Sequence, residues 1–313
     1  MINKVDFFII GAQKSATTSL YNYLNEHPDI YMPEVKENHF FVEDRVYNQG
    51  VQHFHRFYQT YAAQKVVGGA FVHMLTSQEA PERVYNYNKD AKLIVMLRNP
   101  VDRAYSAYHF AIKNGWESSK IKFFDAIKLQ DERLKGNLTE QTDLAYVNSG
   151  MYAKHLSNWL KWFTKDKFLI LFDSDFIADS QGQMKKVFNF LGVDESVIVN
   201  TNNAYNRSGD VRLKTLHRFL RNKESRFRRN VGKVLPFGVK SFYRRQILPT
   251  LDKYNKTEKK YTPLSFEERQ ALFAYFEEDL KSLNDIIGIN VYELWKPQFH
   301  NKDSNKIKTS ESR

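Results

Sequence analysis

The sequence predicts an α/β protein, a single domain whose central parallel sheet is flanked by helices. Short apolar runs of β-formers, each stopped by glycine, arginine or aspartate, recur along the chain. Segments with apolar residues at 3–4 spacing alternate with them, the order that builds parallel sheets. The 313 residues, 42% apolar and without an internal repeat, suffice for one large domain of this kind. That domain is expected over residues 1–300. Residues 301–313 hold one large apolar side chain, Ile307, and are expected to be a disordered tail.

The first element is Val5 with Phe7 to Ile10, too short for a helix and apolar enough for a strand buried on both faces. Gly11 ends it. Ser15, Thr17, Thr18 and Ser19 then place hydroxyls where a helix begins, Leu20, Tyr23 and Leu24 give its apolar face, and His27-Pro28 stops it. The first-turn amides, the positive end of the helix dipole, these hydroxyls and the Lys14 ammonium converge on a volume that suits a phosphate or sulfate. The plainer reading makes Ser15 or Thr17 a helix cap and Lys14 a solvated loop residue. The phosphate-loop pattern G-x-x-x-x-G-K-[ST] is not met, since Ala12-Gln13 stand where its second glycine belongs, so a nucleotide kinase or GTPase is the weaker reading.

A second apolar strand, Leu93 to Leu97, carries Arg98 at its carboxyl end, and Pro100 fits the first turn of a following helix. Ser106 then lies about two turns in, roughly 9 Å along the axis. Arg98 offers a bidentate fork and Ser106 a short donor to one anion. Two strand-end anion sites, one on lysine and one on arginine, suit a nucleotide with phosphates at both ends better than a triphosphate. A further strand, Phe168 to Phe172, follows a helix at 150–163 whose Tyr152, Leu156, Trp159, Leu160 and Phe163 form a core stripe.

These residues resemble the sulfotransferases that use 3′-phosphoadenosine 5′-phosphosulfate (PAPS), with their P-loop-like fold. GAQKSATTSL at 11–20 is similar to the family's 5′-phosphosulfate loop, and RNPVDRAYSAY at 98–108 to its 3′-phosphate motif. The resemblance runs over roughly residues 5–215 and is strongest to glycosaminoglycan sulfotransferases of the heparan sulfate type and their bacterial relatives. KENHFF at 36–41, GGAFVHMLTS at 68–77, SGMYAKHLSNWLKWF at 149–163 and NRSGDVR at 206–212 continue it in order.

The resemblance implies that Gln13, Lys14, Ser15, Ala16, Thr17, Thr18 and Ser19 hold the 5′-phosphosulfate, with Lys14 neutralising the leaving oxygen. It places Arg98 and Ser106 on the 3′-phosphate, and Asn206, Arg207, Ser208, Gly209 and Arg212 in a loop closing over the nucleotide. Glu37 would be the base that takes the acceptor's proton, with His39 the alternative. No metal is required by this scheme. One departure stands out: heparan-type relatives carry a lysine just after the second motif strand, where this chain has Gly68-Gly69-Ala70-Phe71. His73, Lys36 or a residue of the later basic segment are the candidates to replace it.

Net charge is +11, and 207–245 alone holds thirteen Lys/Arg against Asp210 and Glu224. Such a segment is either a solvated face or a patch for an anionic acceptor. Nucleic acid ranks below, because no zinc-finger spacing or RNA-binding signature accompanies the charge. A peripheral membrane contact through 219–245 is a weak signal. Cysteine is absent, which excludes disulfides and thiol chemistry, and His53-x-His55 lacks a third ligand for a metal. The first strand starts within about five residues of the N-terminus, which predicts no leader or transmembrane segment and a cytoplasmic, bacterial enzyme.

Residues 112–145 and 207–262 are expected to be acceptor-side insertions. The acceptor is expected to be an anionic or neutral glycan sulfated at a hydroxyl or amine. The alternatives are a small-molecule natural product or lipid headgroup, for which Tyr47, Phe54, Phe57, Tyr58 and Tyr61 could line a pocket, and a catalytically inactive nucleotide- or nucleic-acid-binding module.

Overall fold

The computed structural model describes residues 2–201, 210–211, 256–257 and 261–298. Five strands form one parallel sheet: β1 (Phe7–Gly11), β2 (Ile30–Tyr31), β3 (Val66–Ala70), β4 (Lys92–Leu97) and β5 (Phe168–Phe172). Their order is β2-β3-β1-β4-β5, so the chain winds to one side of β1 and then to the other. That reversal puts the carboxyl ends of β3, β1 and β4 around one crevice, the place where open α/β sheets bind ligands. Phe7 pairs with Gly68 on one side and Lys92 on the other. A separate antiparallel ladder joins β6 (Asp210–Val211) to β7 (Lys256–Thr257).

The helices are α1 (Thr17–Leu24), α2 (Asp44–Tyr47), α3 (Val51–His55), α4 (Ala80–Tyr87), α5 (Pro100–Asn114), α6 (Phe123–Lys128), α7 (Gln130–Arg133), α8 (Tyr152–Trp159), α9 (Asp173–Ala178), α10 (Ser180–Leu191), α11 (Phe266–Phe273), α12 (Glu277–Ile287) and α13 (Val291–Trp295). Alternation along the strands divides the apolar side chains between two faces. Phe7 and Ile9 with Ile94 and Met96 meet Leu20 and Leu24 of α1 and Met184, Val187 and Phe188 of α10. Phe8 and Ile10 with Leu93, Val95 and Leu97 meet Val84 of α4, Ala104 and Ala107 of α5, and Leu156 and Trp159 of α8. Both faces are covered, which is why the strands read as unbroken apolar runs.

The expected strands at Phe7, Leu93 and Phe168 are present. The 150–163 helix is regular only over Tyr152–Trp159. Ile112 to Asn114 are the last residues of α5. The aromatic group at 47–61 is mostly core: Phe54 and Tyr58 are buried, and Tyr47, Phe57 and Tyr61 pack against the same cluster.

Close packing on the α1 face leaves no room at Gly68. A Cβ there would sit 2.3 Å from both Met32 Sδ and Phe7 Cζ. Gly68→Ala should therefore destabilise the domain by about 1–3 kcal/mol, as overpacked cores do, measured by urea unfolding. An unchanged midpoint would mean that Phe7 and Met32 repack at no cost.

Candidate anion site at the carboxyl edge of the sheet

The loop after β1 is laced to its neighbours. Gly11 is required because a Cβ would stand 2.7 Å from Leu75 Cβ and 3.1 Å from Val72 O. The Ala12 amide donates to Met96 O of β4 at 2.8 Å. Lys14 and Ala16 then adopt left-handed backbone angles, φ 69° and 57°, uncommon for residues with a Cβ. Alternation of this kind turns successive amides into one concavity, an anion nest.

Helix α1 starts at Thr17 without a side-chain cap and with no acidic residue in its first turn. The plainer reading, in which Ser15 or Thr17 is a cap, is thereby set aside. Among the described residues the amides of Lys14, Ser15, Ala16 and Thr17 find no acceptor. Ser15 is fully buried and its Oγ has no partner. Thr17 and Ser19 are also buried, and Thr18 is half-buried. Donors left unpaired in a buried loop cost free energy that an anion would recover.

Four cations gather around this loop. Lys14 Nζ lies 4.3 Å from the centroid of the Phe110 ring on α5. Burial, reinforced by Arg98, Lys113 and Arg103, brings its pKa down to about 8. Arg98 donates from Nη1 to Lys14 O at 3.0 Å, and its Nε stands 3.3 Å from Asp173 Oδ2 at the end of β5. Tyr152 donates to Arg98 O at 2.8 Å, fixing the backbone from the α8 side. Burial pushes the Asp173 carboxyl up to about 6 although Arg98 opposes it.

Arg103, Ser106 and Phe110 lie at helical spacing on one stripe of α5, the stripe that meets Lys14. Ser106 is 3% exposed, in keeping with a donor enclosed beside the strand end. Sequence reasoning missed Arg103. It is fully buried, donates from Nη2 to Tyr146 O, and leaves Nε and Nη1 without partners. Burial lowers its pKa to about 10. Its i, i+3 relation to Ser106 was the available signal.

Glu37 lies at the far lip of the crevice. Its Oε1 pairs with Lys36 Nζ, and its Oε2 accepts from the Val72 amide at 3.2 Å, two residues beyond β3. The side chain is 42% exposed, so the carboxylate is in contact with solvent. The ring of His39 lies 4.4 Å from that of Phe71 as a packed histidine. Lys36 pairs with Glu37, and Ala70, which ends β3, carries no charge. His73 lies in the same crevice, where Asp143 receives both His73 and Gln13.

Asn206, Arg207, Ser208, Gly209 and Arg212, and all of the basic run at 207–245 except Asp210 and Val211, lie outside the described residues. Among the described residues no three His, Cys, Asp or Glu cluster as metal ligands, and no helix is long and apolar enough to cross a membrane. His55 shares a 2.9 Å hydrogen bond with Tyr87 Oη.

A family profile described as "Sulfotransferase domain" matches residues 4–268. Mouse heparan sulfate glucosamine 3-O-sulfotransferase 6 is 31% identical over 189 residues, 60% of this chain and 52% of the relative. Human heparan sulfate glucosamine 3-O-sulfotransferase 3B1 is 31% identical over 185 residues, 59% of this chain and 45% of the relative. The chain thus spans about half the length of the curated relatives it matches. A crystal structure of a sulfotransferase from Alicyclobacillus acidocaldarius superposes with TM-score 0.67 at 22% identity, covering 93% of this chain and 100% of that one. Mouse sulfotransferase SULT7A1 complexed with PAP superposes with TM-score 0.50 at 16% identity, covering 94% of this chain and 90% of that one.

Proposed function

The chain belongs to the sulfotransferase domain family, and from that premise we propose that it transfers a sulfuryl group from PAPS to a hydroxyl or amine of a carbohydrate. The observation that carries the reading is the 3.0 Å bond from Arg98 Nη1 to Lys14 O, which joins the lysine loop and the arginine strand end into one cradle. A nucleotide with phosphates at its 5′ and 3′ ends matches that pair of cations.

The residues present fit such a donor. The unpaired amides of 14–17, the orphaned Ser15 Oγ and the hydroxyls of Thr17, Thr18 and Ser19 would hold the 5′ end, with Gln13 and Ala16 shaping the loop. Arg98 and Ser106 would hold the 3′-phosphate. The loop at 206–212 would close over the nucleotide.

In the transfer, the acceptor oxygen bonds to sulfur as the sulfur–oxygen bond to the 5′-phosphate breaks, and the acceptor's proton passes to Glu37. Charge that develops on the leaving phosphate oxygen is met by Lys14. As in phosphoryl transfer, the protein contributes position and preorganised charge. Glu37 stays an effective base although exposed, because in a loose transition state the proton leaves late.

The carbohydrate assignment is supported by relatives whose names specify the glucosamine of heparan sulfate. The aromatic cluster that would line an apolar acceptor pocket is core, which weighs against a lipid or apolar natural product.

Calorimetric titration tests the reading. 3′-Phosphoadenosine 5′-phosphate (PAP) should bind at least about tenfold more tightly than AMP, the least expected from a charge-assisted pair on the 3′-phosphate. Glu37→Gln should keep PAP affinity within about twofold and lower turnover of labelled PAPS on glycan acceptors by about 10²–10⁴-fold. Equal binding of AMP and PAP would sink the proposal.

A further inference from the structure

Just past the end of α5 stands an aromatic side chain that the donor site does not use. Of the four tryptophans, Trp159 and Trp295 are buried and Trp162 packs against the main core, whereas Trp116 is 42% exposed. Single apolar residues on a surface are common. What sets this one apart is its surroundings. The Trp116 and Phe110 rings meet edge-on with centroids 5.5 Å apart, and the Lys14 ammonium rests 4.3 Å from the same Phe110 centroid. The indole therefore lies no farther from that ammonium than the two steps combined.

Its base is rigid. Gly115 closes α5 in the left-handed region at φ 76°, and the Trp116 amide donates back to Ala111 O at 3.0 Å. Glu117, the next residue, is locked by Arg133 at 2.6 Å and by Tyr146 at 3.0 Å. Arg133 in turn donates to Leu144 O at 2.9 Å, beside Asp143, whose carboxylate receives Gln13 at 2.6 Å. Gln13 immediately precedes Lys14. A second set of contacts thus ties the indole to the lysine loop.

Position along α5 decides which ligand meets the indole. Ser106 grips the 3′-phosphate in the reading above, and Phe110 carries Lys14 one turn further on, about 6 Å along the axis. Trp116 stands beyond both, so the order runs from nucleotide to transferred group to the acceptor. An indole offers a flat apolar face with only two side-chain torsions to fix, which suits the C–H face of a pyranose. Lys113, in the last turn of α5, lies close enough to Lys14 to oppose its charge, so the same corner favours an anionic saccharide.

We propose that Trp116 forms an acceptor subsite, on which the sugar ring next to the one being sulfated packs its C–H face, held beside Lys14 by Phe110 and Glu117. The indole takes no part in making or breaking bonds. It sets the affinity and register of an acceptor longer than one sugar.

The inference rests on the carbohydrate reading above, and the experiment separates the two. Turnover of labelled PAPS on a heparan sulfate octasaccharide and affinity for PAP are measured for the wild type, Trp116→Ala and Trp116→Tyr. The expected result is a KM for the octasaccharide about tenfold higher in Trp116→Ala, with kcat and PAP affinity within about twofold. Trp116→Tyr, which keeps a flat ring, should restore most of the loss. An unchanged KM in Trp116→Ala would leave the indole idle, and a parallel loss of PAP affinity would place it on the nucleotide or make it structural; either overturns the proposal. A wild type that binds PAP and sulfates no octasaccharide overturns it while the donor site stands. One that binds no PAP refutes the donor site itself.

Discussion

Lys14→Ala is expected to lower kcat/KM by about 10²–10³-fold, the usual cost of removing one preorganised group from developing charge, and to weaken PAP as well. Among the described residues Lys14 touches no carboxylate. Its carbonyl is held by Arg98, and its ammonium rests on Phe110 beside three other cations. A charge placed so is stabilised only when an anion arrives. The same placement predicts a pH dependence. With a pKa of about 8 in the free protein, Lys14 carries its full charge below that value and loses it above. PAP affinity should therefore fall as pH rises past about 8, by up to tenfold per unit, while a bound dianion draws the proton back. Folding runs the other way. The folded pKa lies below the unfolded value of 10.5, so the cost of burying this charge is full below about pH 8 and fades as pH climbs towards 10.5. Lys14→Arg, charged throughout, should flatten the affinity profile. A wild-type profile flat from pH 7 to 10 would show that Lys14 does not face the ligand.

Glu117→Ala should unfold more readily than any other single variant considered, by about 3–5 kcal/mol, because it strands a buried guanidinium. Arg133 Nη2 lies 2.6 Å from Glu117 Oε2, and the two side chains are 7% and 4% exposed. Tyr146 donates to the same oxygen at 3.0 Å, so the variant orphans two buried donors at once. The second nitrogen of Arg133 donates to Leu144 O at 2.9 Å, next to Asp143. Loss of the pair should thus reach the crevice and weaken PAPS along with stability. Glu117→Gln, which keeps an acceptor, should cost less. Chemical denaturation decides the matter: a loss below about 1 kcal/mol would place this pair with solvated surface bridges.

What could be read from sequence was local. FFII followed by glycine, Pro100 opening a helix just past Arg98, and Tyr152, Leu156 and Trp159 along α8 each signal themselves within one or two turns, and each is where its pattern put it. Contacts made by the fold were not legible. Gln13 and Asp143 are 130 residues apart, and no spacing announces that a turn will bring them together. Lys14 and Ala16 give no hint of left-handed backbone, since glycine is the residue that usually marks it. Arg103 was passed over because a charged residue inside a helix defaults to the solvent face. The exposure of Glu37 was not legible either, since Phe40 and Phe41 just after it are buried while the Glu37 side chain is 42% exposed.

The order of strands in the sheet has a consequence for the way this protein is made. Within the sheet β1 precedes both of its neighbours in the chain: Phe7 must wait for Gly68 on one side and for Lys92 on the other. At roughly 5–20 residues per second, the nascent Phe-Phe-Ile-Ile stretch stays unpaired for on the order of several seconds. It has the β-propensity and lack of charge that favour association between chains. Lys4 and Asp6 just before it and Lys14 just after place charge on both flanks of that stretch, the gatekeeper arrangement that opposes association between chains.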